Sequence, residues 1–327
     1  MQLWGGIRSW WRCLALLGAL TLFFSVLRNP GAVRTYFYSA FREGSRIVLD
    51  IQNQHLQVLE GDHFRIKYQA ADSNVANLVL ETAEGIFKSV NQSLGYIPDQ
   101  KVPVVIYPTG DALARCFGWP ADEGALGVYW IGTIRILSPN VWATAKGGGV
   151  DPKAFKDSGP MAHEYTHYVI DYLTGGNYTR WFTEGVAQKE EKRITGFVFS
   201  NPFIDSNGHK KEYAGKKLRA ATAQEVEAQI YSELYSLTEM DSHFDYLPNQ
   251  MQAYWESFMA IEYICEEFGP ERVNLIIGDL SKGYSLNQSL ERSLGVNLLS
   301  FDHDFKQWAA HQAAINLVKS HAYQANA

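Results

Sequence analysis

The chain has 327 residues, of which 46% are hydrophobic and 20% charged, with a formal net charge of −6. That is an ordinary globular composition with room for one large domain or two lobes, and it excludes a disordered chain, a collagen-like repeat and a polytopic membrane protein. The acidic balance leaves no global basic field for nucleic acid, and Cys13, Cys116 and Cys265 form no Cys-x-x-Cys pair for a zinc ribbon or a redox site.

Residues 10–27 read WWRCLALLGALTLFFSVL. The uninterrupted run from Cys13 to Leu27 has 15 residues; counted from Trp10, with Arg12 snorkelling toward the headgroups, it reaches 18. A membrane span needs roughly 17–25. The leader carries Arg8 and Arg12, as a signal sequence does, and Pro30-Gly31-Ala32 is a poor match to a small-residue cleavage site. Residues 1–27 therefore read as an uncleaved, single-pass signal-anchor, with the bilayer as a partner through residues 10–27 and the remainder exported. A secreted form after cleavage is the alternative. Export would let Cys116 and Cys265 form one disulfide, although Cys265 reads more simply as a small hydrophobe on an apolar helix face.

Residues 28–58 read as a stem that turns strand-like at Ile47-Val48-Leu49, ahead of a body spanning 59–327. His63–Tyr68 alternates with the period of a half-buried strand. Asp72–Leu94 has helical periodicity and stops at Gly95; Val102–Tyr107 is a short buried strand. Gly127–Ile131 and Thr133–Leu137 flank Gly132 as a hairpin or one bulged strand. Residues 59–176 are thus α+β. Residues 177–327 are mainly helical: Thr222-x-x-Glu225 is a capping box, Pro248 opens a long helix ending at Gly269-Pro270, Ser285-x-x-Gln288 opens another stopped by Gly295, and a last one runs over about 301–319.

The chemistry is concentrated in Ser158–Gly176, which contains His163-Glu164-Tyr165-Thr166-His167. Pro160 suits the start of a helix and Gly175 its end. His163 and His167, at i and i+4, then share one helix face and can converge on a single zinc ion, while Glu164 reaches a water beside the metal. A third ligand must come from elsewhere. Downstream, Trp181-Phe-Thr-Glu184-Gly185-Val-Ala reads as the start of a helix, with Thr183 as its N-cap, Glu184 in its first turn as third ligand, and Gly185 allowing close approach to the zinc helix.

HEYTH followed by WFTEGVA resembles the gluzincin clan of zinc peptidases. The first segment resembles the zinc helix of thermolysin, the second the third-ligand helix of the aminopeptidase-N family, and the whole is closest to the peptidase-MA-like domains. The resemblance implies a two-lobed α+β fold: a small mixed sheet and zinc helix, then a helical lobe, here preceded by one membrane helix. It implies one zinc ion on His163, His167 and Glu184, with Glu164 as general base. The chain departs from the pattern in three places. His167 and Glu184 are 17 positions apart, so the connecting turn is tight. Gln188 stands where thermolysin-type enzymes carry an acid, leaving the outer partner of His163 unassigned. The Gly-x-Met-Glu-Asn segment of aminopeptidases is absent. No third histidine follows as in metzincins, and the charged surroundings of the motif do not suit an intramembrane protease.

Several further residues are candidates. Tyr254, on the helix opened by Pro248, is the expected donor to the tetrahedral intermediate, with His243 and Tyr246 as neighbouring alternatives. Asp171 either orients an imidazole or solvates the helix end. Glu190 and Glu191 read as a charged outer face. Of Trp119, Tyr129, Trp130, Trp142 and Trp181, most read as core or lobe interface, with one or two lining a cleft. Gly127–Ile131 is a strand edge that could take an extended peptide. The expectation is a membrane-anchored zinc peptidase acting on a peptide or protein outside the cytoplasm. The alternative is an anchored scaffold or peptide-binding module that keeps the metal without turnover.

Overall fold

The computed structural model describes residues 30–120, 124–199, 201–203 and 223–324, together with a few single positions between 14 and 24. The expected membrane segment, residues 10–27, and Thr222 of the expected capping box lie largely or wholly outside these. No helix among the described residues is long and apolar enough to cross a membrane.

The chain is α+β, a five-stranded mixed sheet followed by helices. Helix α1 (Pro30–Gln52) leads into β1 (Gln57–Glu60) and β2 (Phe64–Tyr68), then α2 (Ser73–Leu94) and β3 (Val102–Tyr107). The hairpin β4 (Gly127–Trp130) and β5 (Thr133–Leu137) follows. Helices α3 (Met161–Thr174) and α4 (Arg180–Thr195) carry the candidate site. Beyond them come α5 (Ala223–Glu233), α6 (Leu237–His243), α7 (Gln250–Glu267), α8 (Glu271–Ser281), α9 (Leu286–Leu294) and α10 (Leu298–Gln324). Short helices at Gly110–Arg115, Pro139–Trp142 and Pro152–Ser158 lie in the connections.

The strand order is β1-β2-β3-β5-β4, with β2, β3 and β5 parallel and both outer strands antiparallel to their neighbours. Alternation in β2 works as its sequence suggests. Phe64 and Ile66 are fully buried in the main core, with Phe64 against Tyr165 of α3, while Lys67 pairs with Asp50 at the end of α1. Helix α2 buries Val75, Val79, Ala83, Ile86, Phe87 and Val90, the one-sided spacing of a 3.6-residue period, and ends at Gly95 with φ 72°. The turn between β4 and β5 is a two-residue hairpin, Ile131 and Gly132 having φ 43° and 80°. Ser285 and Gln288 form the expected capping box of α9.

One expectation fails at the N-terminal side. Ile47, Val48 and Leu49 are helical, not strand-like. The apolar residues of 30–52 recur at helical spacing, and three β-branched or aliphatic residues in a row are too short a window to reveal it. Cys116 and Cys265 are both free thiols, so the disulfide does not form. One continuous hydrophobic core runs from the sheet through α3 and α4 into α7 and α10, joining both halves of the chain.

Candidate metal centre

Helix α3 begins after Pro160, where a missing N–H costs nothing, and ends at Gly175 with φ 59°. It lies in the middle of the molecule. Tyr165, Tyr168, Val169 and Ile170 are buried, and the Tyr165 hydroxyl donates to Asn91 of α2 at 2.7 Å. This fixes the rotation of α3 and turns His163 and His167 toward α4.

Helix α4 begins at Arg180 with Thr179 in the N-cap position, one turn earlier than expected. Thr183 is therefore inside the helix, and its hydroxyl meets His167 Nδ1 at 2.8 Å. Glu184 sits in the second turn. Its Oε2 lies 3.1 Å from His163 Nε2 and 3.4 Å from His167 Nε2. Gly185 does not face the zinc helix. A Cβ there would stand 2.2 Å from the Ser257 carbonyl oxygen, so the close approach it permits is between α4 and α7.

The donor set fits a zinc ion. His163, His167 and Glu184 bring their ligating atoms within 4.8 Å of one another. A tetrahedral ion with bonds of about 2.0–2.1 Å holds adjacent donors about 3.3 Å apart, close to the 3.1 and 3.4 Å from Glu184 Oε2 to the two imidazoles. Both imidazoles have Nδ1 engaged, His167 by Thr183 and His163 by Glu191 Oε2 at 3.1 Å, which leaves both Nε2 atoms facing the same point as Glu184 Oε2. The second Glu184 oxygen is taken by Arg180 Nη1 at 2.7 Å. Three protein donors is the number that catalytic zinc sites use.

The outer partner of His163 is thus Glu191, buried and not on a charged outer face. Glu190 is buried too, bound to Ser93 and Arg193. Glu184, Gln188 and Glu191 lie at i, i+4 and i+7, one stripe of the helix, and that spacing was the available signal. Gln188 faces the other way in function: its Nε2 donates to the Tyr254 carbonyl at 2.8 Å and braces α7.

Electrostatics follow from burial. Desolvation favours a neutral Glu184, but Arg180 and the two histidines outweigh it and hold its carboxyl well below the usual range. Burial likewise disfavours charge on His163, yet hydrogen bonds to Glu184 and Glu191 keep its pKa well above the ordinary value. Burial lifts the Glu164 carboxyl above its usual range, opposed in part by His163, His167 and the Tyr129 amide.

Glu164 is buried beside the ligands, and its Oε2 accepts the Tyr129 N–H at 2.5 Å. Strand β4 passes directly over the start of α3. A Cβ on Gly127 would stand 2.5 Å from Pro160 Cβ and 2.9 Å from Glu164 Cγ, so only glycine lets the strand lie so close. The pairing register turns the Tyr129 amide away from β5, onto the free edge of the sheet.

Asp171 neither orients an imidazole nor solvates the helix end. It is fully buried at the far end of α3, paired with Arg42 of α1 at 2.9 Å. Tyr38 and Tyr129 donate to it at 2.7 and 2.6 Å, and Tyr178 at 3.3 Å. Long-range neighbours of this kind carry no local signal in sequence.

Tyr254 is half-buried, stacked on Phe199 with centroids 5.4 Å apart and edge-on to Phe244. Its hydroxyl lies in the field of Glu184, Arg180 and Glu164, and burial pushes its pKa up. His243 is exposed and bonded to Ser242, and Tyr246 is 87% exposed. Trp181 is core, stacked on Phe301; Trp142 packs on Phe155; Trp119 and Trp130 are exposed.

The chain matches no protein-family model and no curated protein sequence. Among solved structures it is similar to a mutant M1 zinc metallopeptidase from Deinococcus radiodurans, with a TM-score of 0.37 and 12% identity, over 80% of this chain and 50% of that one. The chain spans about half the length of that structure. A likeness of that size carries no argument about chemistry, which stands on the side chains described above.

Proposed function

We propose that the protein is a zinc-dependent peptidase, with one metal ion on His163, His167 and Glu184 and with Glu164 as general base. The observation that carries this reading is the convergence of two imidazole Nε2 atoms and one carboxylate oxygen beside a second, buried carboxylate, Glu164, that is not one of the three donors. A purely structural metal site has no use for Glu164.

A zinc ion bound there would supply Lewis acidity to water and to a scissile carbonyl. Glu164 takes a proton from the attacking water and returns it to the leaving amine. The Tyr129 amide holds the Glu164 carboxylate, Thr183 and Glu191 hold the imidazoles, and Arg180 holds Glu184. Tyr254 donates a hydrogen bond to the oxygen that becomes negative as the carbonyl is attacked. The substrate is an extended peptide or protein segment that pairs with the outward groups of β4 other than the Tyr129 N–H, which Glu164 holds. In this reading residues 10–27 anchor the chain in a bilayer with its body outside the cytoplasm.

The test is cleavage of a mixed peptide library by wild type, Glu164→Gln and Tyr254→Phe. Glu164→Gln should keep about one zinc per chain and lose several orders of magnitude in kcat. Tyr254→Phe should lower kcat by about 10²–10³ with zinc affinity unchanged, the loss of one oxyanion donor. Wild-type turnover in Glu164→Gln would exclude the mechanism, and a metal-loaded wild type that cleaves nothing would favour a binding module.

A further inference from the structure

Helix α1 has one face that nothing in the described structure covers. Tyr36, Phe37, Phe41, Ile47, Val48 and Ile51 are each more than half exposed, between 53% and 73%. At 100° per residue these six positions, with Ala40 and Gly44, fall within an arc of about 140°. No charged residue falls inside that arc; Arg42 and Arg46 point the other way, to Asp171 and Tyr172. Large residues at these exposures present on the order of 600 Å² of apolar surface, at the upper limit of what a free monomer shows to water.

The chain just before the helix says what covers this face. The apolar run ends at Leu27, three steps before α1 begins at Pro30. Three residues reach at most about 10 Å. With that run in a bilayer, α1 starts at headgroup level, and its 23 residues extend about 34 Å. A helix standing up from the surface would carry the whole apolar stripe into water. Lying flat buries it. Arg34 is exposed near the first turn, and Arg65 and Lys101, each paired with Glu60, flank the last around a cavity of about 180 Å³ shared with Ile47, Asp50 and Ile51.

We infer that α1 is an in-plane membrane helix. Its exposed stripe enters the boundary between headgroups and acyl chains of a bilayer, while its opposite face, through Arg42 and Tyr38, holds the zinc helix at Asp171. The catalytic body is thereby laid against the membrane in one orientation instead of swinging on a stem. This rests on the anchoring in the proposed function but not on the hydrolysis.

The experiment uses the full chain, its three cysteines replaced by alanine, reconstituted into vesicles of phosphatidylcholine and phosphatidylglycerol. Nitroxide labels are placed through Phe37→Cys, Phe41→Cys and Val48→Cys, with Glu81→Cys on the exposed face of α2 as the control. All four sites are exposed, so labels leave the docked face of α1 intact, and melting temperatures equal to the unlabelled parent confirm the fold. At the three α1 sites, collision with oxygen should exceed collision with a water-soluble nickel chelate several-fold, and at Glu81→Cys the order should reverse. Nickel access at the α1 sites equal to that at the control would overturn the inference. So would dipolar broadening between labels on two chains, which would make the face a contact between copies. Resistance to alkaline carbonate reports the anchor separately. An anchored chain with water-accessible α1 labels overturns the in-plane helix alone, and a chain that washes off overturns both.

Discussion

Glu191 reaches His163 from two turns beyond Glu184, a different geometry from an acid one turn beyond the third ligand. Its carboxylate fixes which imidazole nitrogen is free, and so decides whether His163 faces the metal position at all. Glu191→Ala should weaken zinc affinity by about 10–100-fold, read by competition with a chromophoric chelator, whereas Glu190→Ala should leave it unchanged. Equal affinities in the two variants would mean that packing alone orients His163. Glu191 was hidden in sequence by the run from Lys189 to Arg193, in which all five side chains are charged. Thr183 was hidden differently. It looked like a cap because a small polar residue preceded an acid, but Thr179 stands one turn earlier with the same chemistry, and only the course of the chain chooses between them.

At the level of elements, the site is the meeting of β4, α3 and α4, and two close approaches that shape it depend on residues without a side chain. Gly127 admits the strand to α3, which puts the Tyr129 amide on Glu164. Gly185 admits α7 to α4, the most extensive helix contact among the described residues. Gly185→Ala would place a methyl 2.2 Å from a backbone oxygen and 2.6 Å from Ile261. Backbone cannot yield as a side-chain tip does, so destabilisation should reach about 1–3 kcal/mol or more, with zinc affinity reduced because Glu184 moves with its helix. A melting temperature unchanged from wild type would show that the two helices separate freely. Gly185 was visible as an approach residue in the sequence, but its partner was not, since Ser257 lies 72 positions away.

Across the whole molecule, one core supports both halves, and at least one buried charge works against it. Glu256 on α7 is fully buried. Its Oε1 accepts from Gln252 at 2.6 Å and from the Tyr235 amide at 3.1 Å. Desolvation raises its pKa from 4.5 to about 8, the Gln252 and Tyr235 hydrogen bonds opposing this only in part. The folded chain therefore binds a proton that the unfolded chain has released between these values. The stabilisation is complete below pH 4.5 and is lost as pH rises through about 8. Glu256→Gln keeps the acceptor and removes the titration. Its melting temperature relative to wild type should rise between pH 5.5 and pH 8.5, and a difference independent of pH would show that Glu256 titrates normally. What the sequence by itself determined is what depends on short periods: the strands β2 and β3, helix α2, the capping box of α9, and the placing of His163 and His167 one turn apart on a single helix. Glu184 was legible only because a second short pattern surrounds it. Tertiary structure alone decided that 30–52 is a helix docked on Asp171, that Glu191 completes His163, and that Tyr254 faces Glu184 and Arg180. These contacts join residues tens to more than a hundred positions apart and are set by how whole helix faces bury their apolar area; local spacing marks the 30–52 helix and the Glu184–Glu191 stripe but not what either meets.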